Sequence, residues 1–224
     1  MERFVRLGLI AAAVGGALLA CGALFALLPP HYANFSDQVV TGRYALSSGL
    51  RLLGAVAMTW GLIALYLRQA DRAGSLGLVA VIFCLANMLL QGGWMFADLF
   101  VAPSFARAAP DILNGHAPAR LSAGFLVAWF ANSSFLLLAV ATFRARVLPV
   151  ASGMALLVAG VVTLIPLPMD GPAYEVVIGL AMVVAGTRGR LNRVVSTDIL
   201  NSANPGARAW PWGSGRESRL SGDL

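Results

Sequence analysis

The chain has 224 residues, of which 58% are hydrophobic and 12% charged, with a formal net charge of +6 at pH 7. Soluble domains carry about 25% charged residues, so half that share argues against an ordinary water-soluble globule and for a membrane as solvent. All sixteen basic residues are arginines, and they flank apolar runs rather than forming one basic face, so no nucleic-acid partner is expected.

The first element begins with Glu2, Arg3 and Arg6 and continues as an apolar run to Leu28, stopped by Pro29 and Pro30. Leu18 to Cys21 has the look of a lipoprotein cleavage box. The run is nevertheless about 22 residues long, beyond the roughly 7 to 15 of a removable signal core, and predicts an uncleaved first helix. Ala12, Gly16 and Ala20 recur every four residues and form a small-residue face for close packing against a neighbour.

His31 to Ser48 reads as a polar loop, followed by a second span from Leu50 to about Leu67 and a tight charged turn at Arg68, Asp71 and Arg72. A third span, Leu76 to Val101, leads into a connection containing Pro103, Pro110, Gly115 and Pro118. The fourth span is Leu121 to Phe143, and Arg144 and Arg146 form the next turn. The fifth runs from Val147 to Leu167 and is broken by Pro166, Pro168 and Pro172. The last apolar run, Ala173 to Thr187, measures about 22 Å as a helix against a hydrocarbon core of about 30 Å, a short sixth span.

With the N-terminus, the 68–72 turn, the 144–146 turn and the tail on one side, that side holds twelve arginines and the other four. Such a bias places both termini in the cytoplasm of a cell-membrane protein. Tyr32, Tyr44 and Tyr174 then fall at the outer interface and Tyr66 at the inner one. Residues 188–224 form a basic tail in which Leu191, Val194, Val195 and Ile199 suit a short interfacial helix drawn to anionic lipid. From Asn201 onward, composition predicts disorder, with Trp210 and Trp212 available to a membrane surface or a partner.

The expected fold is therefore all-α, a polytopic membrane bundle of six transmembrane helices over residues 1–187. Within it the third helix carries a polar stripe. Asn87, Gln91, Trp94 and Asp98 follow at steps of four, three and four and share one helix face. Asn132 on the fourth helix lies at nearly the depth of Asn87, and an amide in hydrocarbon needs a partner. Ser122, Trp129 and Ser133 extend that face. Two readings follow. In one, the stripe is interhelical glue; in the other, an outward-facing groove lined by Gln91, Trp94, Asp98 and Arg51 or Glu175 holds a small solute or lipid. Arg51 is expected to snorkel, with Asp98 as an alternative partner, and Glu175 to favour the dipole of the sixth helix.

No catalytic set emerges. His31 and His116, the only histidines, fall in outer loops, so no helix offers a haem ligand or a histidine base. Cys21 and Cys84 sit at different depths, which disfavours a disulfide, and no phosphate-binding glycine loop occurs. No metal or other cofactor is expected. The turns Leu67 to Gly74 and Phe143 to Pro149 give the chain the appearance of the small uncharacterised six-helix integral membrane proteins of bacteria, which it resembles over its membrane portion. That resemblance implies an architecture and no activity. The expectation is a non-enzymatic structural or accessory membrane component, with the bilayer and a membrane-protein partner or a second copy as its contacts; the alternative is a small-solute or lipid transporter.

Overall fold

The elements are helical, as long apolar runs without strict alternation favour, and no strand occurs among the described residues. The computed structural model describes residues 2–29, 32–115, 124, 127, 130–165 and 171–203, with backbone alone at 171 and 190–203. In chain order these form α1 (Glu2–Leu27), α2 (Phe35–Val39), α3 (Gly42–Phe96), a π-helical turn (Ala97–Val101), α4 (Ala102–Ala108), α5 (Pro110–Asn114), α6 (Ser134–Ala145), α7 (Val150–Val162) and α8 (Gly171–Ala203). Two compact units divide the chain, Met1–Asn192 and Arg193–Leu224. The second is helical over 193–203, where the interfacial segment was expected; Trp210 and Trp212 lie outside the described residues.

Two helices, Glu2–Leu27 and Gly42–Ala108, are long and apolar enough to cross a membrane, and Phe130–Ala145 and Val150–Val162 are shorter apolar helices. The second long helix is not straight. Gly74 at φ 59°, ψ −153° interrupts α3, in a region of backbone space open essentially to glycine. The electrostatic interaction of Tyr44 and Arg51 with Asp98 shows the result. Residues roughly 50 positions apart stand side by side, so arms 42–73 and 75–96 run antiparallel. The expected turn at 68–72 is therefore helical, and the reversal falls at Gly74.

Small residues set the packing of α1. A Cβ on Gly61 would lie 2.5 Å from Ala12 Cα, and one on Gly15 2.7 Å from the Met58 nitrogen. Gly22 meets Ser47 and Arg51, so α1 and the 42–73 arm are antiparallel. On its other flank Gly16 and Ala20 face Gly179 while Leu9 and Ala13 face Gly186, so α8 is antiparallel to α1 as well. The single small-residue face expected of Ala12, Gly16 and Ala20 thus serves two neighbours. Close backbone approach of this kind favours dispersion and packing between helices. Gly61→Val should lower the thermal midpoint by the equivalent of about 1–3 kcal/mol, since backbone rather than a mobile side chain stands in the way. Gly49→Ala, where an added Cβ meets nothing within 4 Å, should leave it unchanged or higher; equal midpoints for the two variants would refute the packing argument.

Two expected loops contain structure. Within 31–48 the chain forms α2 and begins α3 at Gly42, where the Thr41 hydroxyl caps the helix by accepting from the Tyr44 amide at 3.2 Å. The proline-rich connection folds as α4 and α5, with Pro103 and Pro110 in first turns, where a missing N–H costs nothing. Asn114 ties α5 to α2, accepting from the Ser36 amide at 2.9 Å and donating to its hydroxyl at 2.8 Å. Val39, Tyr44 and Ala102 form a small core beneath this cap.

The antiparallel registers bring the start of α1, the Gly74 reversal, the α6–α7 turn and Gly189 to one end of the first unit. A Cβ on Gly189 would lie 3.5 Å from Leu148 Cδ2 there, and the Arg68 guanidinium donates to the Gly189 carbonyl. Large apolar side chains point outward along the helices, among them Leu7, Leu53, Leu89, Phe130 and Val150.

Candidate functional site

The 75–96 arm of α3 carries its polar stripe inward, and α6 approaches it antiparallel. Asn87 is fully buried, and its Nδ2 donates to Asn132 Oδ1 at 2.9 Å. Gln91 Nε2 donates to the same oxygen at 3.3 Å. One carbonyl therefore accepts from two side chains on the opposite helix, the number its lone pairs allow. Ser133 does not extend this seam, because its hydroxyl donates to the Phe130 carbonyl one turn back at 2.6 Å. Trp94 is half-buried. Ser122 and Trp129 lie outside the described residues.

Asp98 belongs to a second group. At the π-helical turn the chain does not end its helix, and Asp98 is buried rather than left at a rim. It interacts electrostatically with Tyr44, Arg51 and Glu175. Arg51 does not snorkel. Its guanidinium grips Glu175 in a fork, Nε to Oε2 at 2.5 Å and Nη2 to Oε1, with the two side chains 7% and 6% exposed. The bidentate geometry explains why arginine occupies this position. Glu175 consequently answers a cation 124 residues away rather than only its own helix dipole.

Sequence reasoning missed Tyr44, which is buried inside α3 rather than placed in an interfacial belt, and Ser48, which is fully buried one turn further along. The signal was present. Tyr44, Ser48 and Arg51 repeat at steps of four and three, the same pattern as the stripe facing them.

The two groups differ in chemistry. The amide group is neutral and directional; the charged group holds one guanidinium between two carboxylates. Among the described residues no cluster of three or more His, Cys, Asp or Glu is placed to hold a metal ion. His31 and His116 lie outside the described residues, and Cys21 and Cys84 are free thiols, one exposed and one buried. A cavity of about 10 Å³ beside Tyr44, lined also by Phe25, Thr41 and Ser47, has room for about one water. Compared with models of known protein families, with curated proteins and with solved structures, the chain matches none.

Proposed function

We propose that the chain is an integral membrane protein that crosses the bilayer six times with both termini cytoplasmic, and that it serves as a non-enzymatic structural or accessory component of a membrane assembly. Three observations support the membrane reading. Large apolar side chains face outward, small residues and hydrogen-bonding groups face inward, and the arginine-bearing turns collect at one end of the first unit. Soluble monomers seldom expose so much contiguous apolar surface. The α3 reversal converts one long helix into two crossings, the shorter apolar helices of α6 and α7 supply two more, and α1 and the apolar first part of α8 complete the six.

The observation that carries the structural role is the mutual pairing of the seam. Arg51 bonds Glu175, and Asn87 and Gln91 bond Asn132, each bond joining different helical segments. Groups bound to each other in this way hold register between helices, and only Asn87 Oδ1 among the atoms of these three amides is buried without a partner. Asn132→Leu removes the shared acceptor and should lower stability in detergent by about 0.6–2 kcal/mol, the range of interhelical hydrogen bonds in membranes. An unchanged thermal midpoint would remove the basis for glue. Extracted from its native membrane in mild detergent, the complex should hold a protein mass, after subtraction of the bound detergent, well above the chain's own 23.4 kDa; a protein mass equal to one chain would count against an assembly role. Solute uptake abolished by Asp98→Asn in an otherwise stable protein would favour the transport reading instead.

A further inference from the structure

At the opposite end from the ion pair, the arginine turns border an open cavity of about 350 Å³ lined by Arg68, Gln69, Asp71, Arg72, Arg146 and Val147. Its size falls within the range of small-molecule sites, roughly 300–1,000 Å³. Three guanidinium groups against one carboxylate leave it with a positive excess. The Arg68 guanidinium is braced by the Gly189 carbonyl, which fixes one cation at the wall.

Gln69 is the unusual member. The residue is 1% exposed, yet both Nε2 and Oε1 lack a hydrogen-bond partner. A buried amide left unsatisfied on both atoms costs about 1–3 kcal/mol per group, and a side chain that turns toward the cavity when a ligand enters would recover that cost. Such a ligand must accept a hydrogen bond, donate one, and carry negative charge. A phosphoryl group with a hydroxyl on it or next to it meets all three demands, and arginine forks suit its oxygens.

Arg146 adds an independent feature. It ends α6 in the left-handed region at φ 52°, ψ 28°, the position that glycine usually fills. Its amide donates to the Thr142 carbonyl at 3.2 Å, so the turn is an ordinary helix stop with an unusual side chain.

We propose that the open cavity between the 68–72 and 146–147 segments is a binding site for a hydroxyl-bearing phosphate ester, with Arg72 and Arg146 neutralising the phosphoryl oxygens and the Gln69 side chain, sealed behind the wall in the unliganded chain, turning outward to bond the ligand. The source is a lipid headgroup or a soluble phosphate, and the chemistry is common to both. This site is separate from the polar seam, so it stands or falls without regard to the seam's structural role.

The test uses the full chain in uncharged detergent, followed by thermal unfolding in inorganic phosphate or glycerol 3-phosphate with ionic strength held constant by chloride. A parallel arm uses nanodiscs of phosphatidylglycerol against phosphatidylcholine. Binding to the native state raises the midpoint saturably. A rise with the soluble probes identifies the phosphoryl group itself as sufficient; a rise only in phosphatidylglycerol identifies a headgroup. Arg146→Gly suits the left-handed backbone and should keep or raise the midpoint without ligand while losing the ligand-dependent rise. Gln69→Leu should raise the unliganded midpoint, by removing an unsatisfied amide, and weaken binding at least tenfold. No saturable rise in either arm overturns the proposal, as does wild-type affinity in both variants.

Discussion

Arg51→Met should be the most destabilising single change at the charged group, with a loss of about 3–5 kcal/mol, and Glu175→Leu should cost less. Removing one partner of a buried ion pair leaves an uncompensated charge in a medium that cannot solvate it. The asymmetry follows from the third member. Without Glu175 the guanidinium still has the Asp98 carboxylate within electrostatic reach, whereas without Arg51 two buried carboxylates remain with no cation between them. The double variant Arg51→Met with Glu175→Leu should recover part of the loss, because well-packed apolar side chains replace a buried pair at little cost. A double-mutant cycle of thermal midpoints in detergent measures the coupling. If Arg51→Met melts with the wild type, or if Glu175→Leu is the worse of the two, the assignment of Arg51 as the shared cation is wrong.

The degree to which this arrangement was legible in the sequence varied with how local its causes were. Asn87 and Asn132 declared themselves because both lie in apolar runs, at depths that turn positions alone set, and an amide there has few other options. Helicity followed from hydropathy in the same way. The Arg51–Glu175 bond did not, because it joins residues 124 apart and depends on how α8 packs beside α1. Seen alone, each had a sufficient local explanation, one in an interface and the other in a helix dipole. The residues from His31 to Ser48 read as a loop because polar composition masks helical phase, although Thr41 in front of Tyr44 is a recognisable cap. Prolines 103 and 110 read as breakers and turn out to start helices, since position within the first turn decides which role proline takes. The cavity at the arginine turns was hidden for a different reason. Gln69 resembles any polar residue in a charged turn until its burial is known.

Gly74→Ala should destabilise the chain by about 1–3 kcal/mol, and through the backbone alone. The residue sits at φ 59°, ψ −153°, and an added Cβ would meet nothing within 4 Å, so no clash contributes. Gly92→Ala is the matched control. It also lies within α3 with no neighbour within 4 Å of a new Cβ, but shows no positive φ, so alanine there should be neutral or stabilising by up to about 1 kcal/mol. The difference between the two variants isolates the conformational cost of reversing the chain. Alanine at 74 also favours continuation of the helix, and a straight helix of 67 residues would be about 100 Å long and would separate Tyr44 from Asp98. The measurement is therefore twofold, a thermal midpoint and a distance between labels placed near the ends of the two arms. A lower midpoint with a broadened distance distribution supports Gly74 as the point where one helix becomes a hairpin. A midpoint equal to that of Gly92→Ala, with the arms still adjacent, would mean that packing against α1 alone enforces the reversal.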